Sequence, residues 1–144
     1  MSRSGAIDRI DALLTTVSDP AFVSVMRGEP LGIAGTPALA FWITSRDVDF
    51  LTLTKATSSC NFLIRGYFRM QTSADVRESI ELDVWDAMVN IDTALRSDAN
   101  LAGNVTDSSI GTATTGYTEI SGVAYRTVDI PYSVMLANEV TITP

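Results

Sequence analysis

At 144 residues, with 46% apolar and 19% charged side chains, the chain can bury a substantial single core and is too apolar for a disordered one. Ten basic residues against 17 acidic ones leave a net charge of −7, which speaks against a nucleic-acid binder, since phosphate contacts require clustered Lys and Arg. The absence of histidine and the single cysteine, Cys60, exclude His-based nucleophile systems, most zinc sites and an internal disulfide framework.

The first helix is expected from Ser4 to Val17, where Ile7, Ile10, Leu13, Leu14 and Val17 share a face. Asp8 and Asp11 suit the positive end of its dipole, and Ser18-Asp19-Pro20 stops it. Phe22 to Arg27 reads as a short strand closed by Gly28. Residues 28–37, with three glycines and two prolines, read as an irregular ordered arm. Ala38 to Ser45 is a strand with two apolar faces, so it is either central or has Trp42 covered by a partner.

From Arg46 to Ser59 the pattern is weakest. Asp47-Val48-Asp49 reads as a turn, Phe50 to Lys55 as a short strand, and Thr57-Ser58-Ser59 as a second turn. Cys60 to Met70 is the clearest strand: Phe62, Ile64, Phe68 and Met70 alternate with Asn61, Leu63, Arg65, Tyr67 and Arg69. Cys60 itself reads as a small core residue.

Ser73 to Arg96 is the longest expected element, a helix without Gly or Pro. Val76, Ile80, Val84, Ala87, Met88, Ile91 and Leu95 form one stripe, suited to lie on a sheet. Leu82, Trp85 and Val89 form a second stripe further round, which the same sheet cannot cover. Asp83, Asp86, Asn90 and Thr93 are expected to face water. Beyond a turn at Asn100–Gly103, Val105 to Ile110 reads as a strand and 111–116 as a Gly/Thr loop. Gly122 to Leu136 is a last β region, continued by Val140 and Ile142, with Pro131 marking an edge, a bulge or a break. The order helix, strands, helix, strands gives an α+β domain over 1–144, a mostly antiparallel sheet packed by two helices.

Chemistry is sparse. Glu78, Glu81 and Asp83 point to different sides of their helix, Asp47 and Asp49 lack the ligands and glycine of a calcium loop, and the glycines at 28, 32 and 35 do not form a phosphate loop. There is no run long and apolar enough for a membrane span and no hydrophobic leader at the N-terminus, and one cysteine fits assembly in a reducing compartment. No cofactor or metal is expected. A small carboxylate-dependent enzyme or ligand-binding domain is the alternative of another class; it would require Asp or Glu converging in a pocket.

IDRIDALLTTV, the short strand near VMRG, the Gly/Pro loop, PALAFWIT, NFLIRGYFRM and the long helix with its L-x-x-D-x-x-L-x-G ending (Leu95, Asp98, Leu101, Gly103) follow one another in an order that resembles the tail terminator, or tail completion, proteins of long-tailed non-contractile bacteriophages. The resemblance implies a virion protein assembled in the host cytoplasm. It implies a homohexameric ring that caps the tail tube protein, ends its elongation and meets the head-completion or connector protein at the neck, while DNA passes its bore without sequence-specific binding. Head–tail joining protein or tube subunit is the nearest alternative. Trp42, Leu82, Trp85, Val89, Arg65 and Arg69 are then the candidate subunit contacts. Asp47, Asp49 and Asp107, expected in loops, are the candidate bore residues, where acids would repel passing DNA.

Overall fold

The computed structural model describes residues 3–50, 55–70 and 73–141, with the side chains of 49–50, 55–56 and 137–141 left out of the description. It is α+β: one six-stranded sheet with both helices on one face. The elements are α1 (Arg3–Thr15), β1 (Ser24–Arg27), β2 (Ala38–Phe50), β3 (Lys55–Arg69), α2 (Ala74–Arg96), β4 (Asp107–Ile110), β5 (Thr114–Ile120) and β6 (Val123–Thr141). The sheet runs β1-β2-β3-β6-β4, with β5 also on β6. Among the described residues β1 and β2 pair in parallel and the other strand pairings are antiparallel.

β2 is central, between β1 and β3, which is why both its faces are apolar in their first half. Leu39 and Phe41 point to the helices, and Ala40 and Trp42 to the opposite, outer face. A register shift between Ile43 and Ser45 then leaves Ile43 exposed. The helix-side layer is built by Leu39, Phe41, Phe62, Ile64, Phe68, Val128, Ile130, Tyr132 and Val134, and α1 closes over it with Ala6, Ile10, Leu13 and Leu14. α2 contributes Val84, Ala87, Ile91 and Leu95, spaced three or four residues apart as one face of a helix requires.

Several expectations change. Asp47 and Asp49 do not turn the chain: β2 runs through them to Phe50, Asp47 opposite Ser59 and Asp49 opposite Thr57. The supposed second turn at 57–59 lies inside β3, and the short strand expected from Phe50 to Lys55 falls mostly on residues 51–54, outside the described residues. Polar residues mislead there because Asp47 and Ser59 lie on a wet face of the sheet, where Ser and Asp are as acceptable in a strand as in a turn, while Ser58 is buried on the other face. The loop expected at 111–116 is shorter, since β5 starts at Thr114. Pro131 does sit at a break, in the gap between β4 and β5. Gly111 N–H donates to its carbonyl there at 2.8 Å, and on this edge no strand asks for the missing proline N–H.

Ser73 stands at the N-cap of α2, but its side chain makes no capping bond. Asp8 and Asp11 hold Arg27 on β1, at 2.7 and 2.8 Å, rather than serving the helix dipole. The helix ending is more ordered than its turn residues suggest. Leu95 and Leu101 are fully buried, Asp98 accepts from Arg9 of α1 at 2.7 Å, and Leu101, Ala102 and Gly103 all have positive φ.

Candidate interaction surfaces

Along α2, at about 100° per residue, Leu82, Trp85 and Val89 fall within an arc of about 60°, centred about 130° round from the stripe of Val84, Ile91 and Leu95. The sheet takes the second group and leaves the first bare: Leu82 is 62%, Trp85 69% and Val89 51% exposed. Val76, expected in the core, is also exposed, because the first turn of α2 overhangs the packed layer. The polar flank is less open than expected. Asp83, Asp86 and Asn90 are half-buried, and Asn90 Nδ2 donates to the Asp19 carbonyl beyond α1. Burial pushes the Asp83 carboxyl up, helped by Asp86 and Asp19.

Beside Trp85, Glu81 is taken up by Arg126 of β6 at 3.0 Å, whose guanidinium also lies 4.7 Å from the Tyr117 ring centre. Asp92 is paired to Arg96 one turn on. Glu78, one residue row from Leu82 and Trp85, is exposed.

The outer face of the sheet has two halves. Toward β1, Ala40, Tyr67 and Tyr125 are buried, with Met26, Trp42, Ile120, Val123 and the arm residue Ile33 packed around them. The arm is fixed at both ends and along its length: Gly28 N–H donates to Phe41 at 2.8 Å, Val23 N–H to Pro37 at 2.7 Å, and the Ser121 hydroxyl to Leu31 at 3.4 Å. Its Leu31 side chain nevertheless stands 93% exposed. Trp42 is half-buried within its own chain, 5.5 Å from the Arg65 guanidinium. Arg65 is in turn engaged by both oxygens of Asp129, at 2.6 and 3.1 Å, and that bond chiefly raises its pKa. Arg69, two positions beyond Tyr67 on the same face, is exposed.

The other half is polar. Asn61 donates to Ser45 at 2.8 Å and to Asp47 at 3.0 Å, and accepts from Ser133 at 2.5 Å. In the next row, pairing sets Asp47, Ser59, Met135 and Asp107 side by side across four strands. Asp47 and Asp107 are therefore on strands, not loops, and face the same way about 14 Å apart at the usual strand spacing. Asp107 also accepts from the Ser108 N–H at 2.8 Å. The Asp49 side chain lies outside the described residues.

Among the described residues no group of three or more His, Cys, Asp or Glu side chains is gathered as a metal site, and no helix is long and apolar enough to cross a membrane. Cys60 is half-buried against the core. A shallow cavity of about 190 Å³ lies where the end of α2 meets β4, between Leu95, Ala99 and Ser108. Leu31 and the Asn61 network were missed in sequence. A leucine between Pro30 and Gly32 was the available signal for the first, and Asn61 at the foot of the clearest strand for the second.

Set against known proteins, the chain matches no family model and no curated protein.

Proposed function

We propose that the chain is a structural virion protein, a tail terminator that closes with identical copies into a ring at the end of a phage tail tube. In this reading the ring stops tube elongation, offers its other side to the head's connector, and lets DNA through its bore. It acts by shape and contact, without catalysing a reaction.

The observation that carries the reading is the bare stripe of Leu82, Trp85 and Val89 on a helix whose opposite side is core. A small soluble domain that spends a tryptophan on an exposed ridge is built to bury it against a partner. Two further features support the assembly. The helix layer and the arm-covered outer face look in opposite directions, as head-to-tail closure requires of two unlike patches. The polar strip with Asp47 and Asp107 suits a wall past which DNA must slide: six copies at −7 each would carry about −42.

Negative-stain electron microscopy and sedimentation of the purified protein test this. Rings with a central hole, and tubes of limited length when the protein is added to polymerising tube subunits, are the expected result. A chain that stays monomeric at every concentration and leaves tube length unchanged overturns it. Filaments formed by the protein alone would instead assign it to the tube.

A further inference from the structure

Leu31 and Trp85 pose the same question from opposite sides of the molecule. The arm is held by backbone bonds at Gly28 and Pro37, by the Ser121 hydroxyl on the Leu31 carbonyl and by Ile33 in the outer-face cluster, yet it presents a leucine side chain that touches almost nothing of its own chain. The α2 stripe presents an aromatic and two aliphatic side chains on the helix side, away from the sheet. The sheet lies between them, so one chain cannot bring the two together. Identical copies stacked face to back can.

We propose that the arm of one copy seats on the α2 stripe of the next, with Leu31 against Leu82, Trp85 and Val89, and Arg69 facing Glu78. The occupant of the stripe is thus a second copy of this chain, and the contact is the repeating joint of the ring; the inference rests on the ring reading. Charge favours the pairing. Of the acids beside the stripe, Glu81 and Asp92 are matched within their own chain and Asp86 is half-buried on the other flank, while Glu78 is exposed and, like Asp86, has no ion pair among the described residues. On the arm side Arg65 is consumed by Asp129, and the arm's own Glu29 is exposed near Tyr67. Arg69 is the exposed cation beside the cluster, likewise without an ion pair among the described residues, so the pairing needs Arg69 on the side of Glu78 and Glu29 turned away from it. The dimensions agree as well. Glu78 to Trp85 spans about 10 Å along the helix. Arg69 pairs with Tyr125 on β6, four residues from the Ser121 that binds the arm at Leu31, which is at most about 13 Å along the chain at the usual rise of a strand.

Disulfide trapping tests the joint. A chain with Leu31→Cys and Val89→Cys, in a Cys60→Ser background, is oxidised mildly and run without reductant. A ladder of linked multimers is expected, with no linkage in either single-cysteine parent. As an independent arm, Arg69→Glu and Glu78→Arg are each expected to weaken assembly up to about five-fold, the range of one exposed ion pair, and the double exchange to restore it. Absence of the ladder and of the exchange rescue, with intact oligomers in sedimentation, overturns this joint and leaves the ring reading standing. Linked dimers with no higher species also overturn it, because a closed pair is not a head-to-tail joint. A wild-type chain that is monomeric throughout removes both.

Discussion

Asp83 and Asp98 belong to one continuous segment but contribute to stability with opposite signs. At Asp98 the bond from Arg9 holds the carboxyl below its ordinary value of 3.8, with the Ala102 N–H assisting. Stability from this group is present above that ordinary value and is lost as pH falls through the lower folded one. Asp98→Asn should therefore cost about 1–2 kcal/mol near neutral pH, and the difference from wild type should close in acid. Burial sets Asp83 the other way: its charged form is disfavoured in the fold, so above its raised pKa it costs stability, and protonation relieves the cost. Asp83→Asn should stabilise by a few tenths of a kcal/mol near neutrality and lose that gain in acid. Urea unfolding of the two variants at about pH 7 and about pH 3 checks both signs at once. Tyr132 makes a third case. Its hydroxyl is buried without a well-formed hydrogen bond, and burial raises its pKa, offset in part by the nearby Ser108. Tyr132→Phe should thus be neutral or stabilising by up to about 1 kcal/mol, and a loss of that size would show the hydroxyl to be well bonded.

Elements were legible where burial on one face imposed a period, and illegible where it did not. α2 from Ile80 onward and the helix-side positions of β3 from Phe62 to Phe68 read directly, since their apolar residues match the side that is buried. The far half of the β2–β3 ribbon did not, because Asp47, Ser58 and Ser59 carry a turn vocabulary into a strand held by its neighbours' ladders. The second stripe of α2 was visible as surplus that the sheet could not cover, but the sequence pattern could not show whether another part of the chain would cover it; the fold leaves it more than half exposed. A substitution series separates the two stripes. Ile91→Ala should cost about 2–5 kcal/mol in thermal or denaturant unfolding. Leu82→Gln or Val89→Gln should change monomer stability by less than about 0.5 kcal/mol and should be read in the association constant instead. The helix ending offers a backbone test. Ala102 is exposed at a φ of 57°, a left-handed conformation that its Cβ resists. Ala102→Gly should stabilise by up to about 1 kcal/mol, unless the added freedom of the unfolded chain offsets the relief.

On the scale of the whole molecule, apolar contact and net charge oppose each other. The surface most ready for a partner is uncharged at its centre: Leu82, Trp85 and Val89 on one side, Leu31 on the other. The chain as a whole carries −7, so each copy that joins an assembly works against the charge already there. An exposed pair such as Arg69 with Glu78 supplies at most about 1 kcal/mol and is itself screened by salt. Repulsion among many unit charges on neighbouring copies exceeds that single attraction, and it too weakens once the Debye length falls below the spacing of the charges, about 10 Å at 0.1 M. Salt should therefore promote assembly. Between about 0.05 and about 0.5 M salt the dissociation constant measured by sedimentation should fall, while the Arg69→Glu variant, with two more units of negative charge per copy, should show the steeper fall. If association instead weakened steadily with salt, ion pairs rather than the apolar stripe would be holding the copies together, and the joint would have to be sought on the charged flanks of α2.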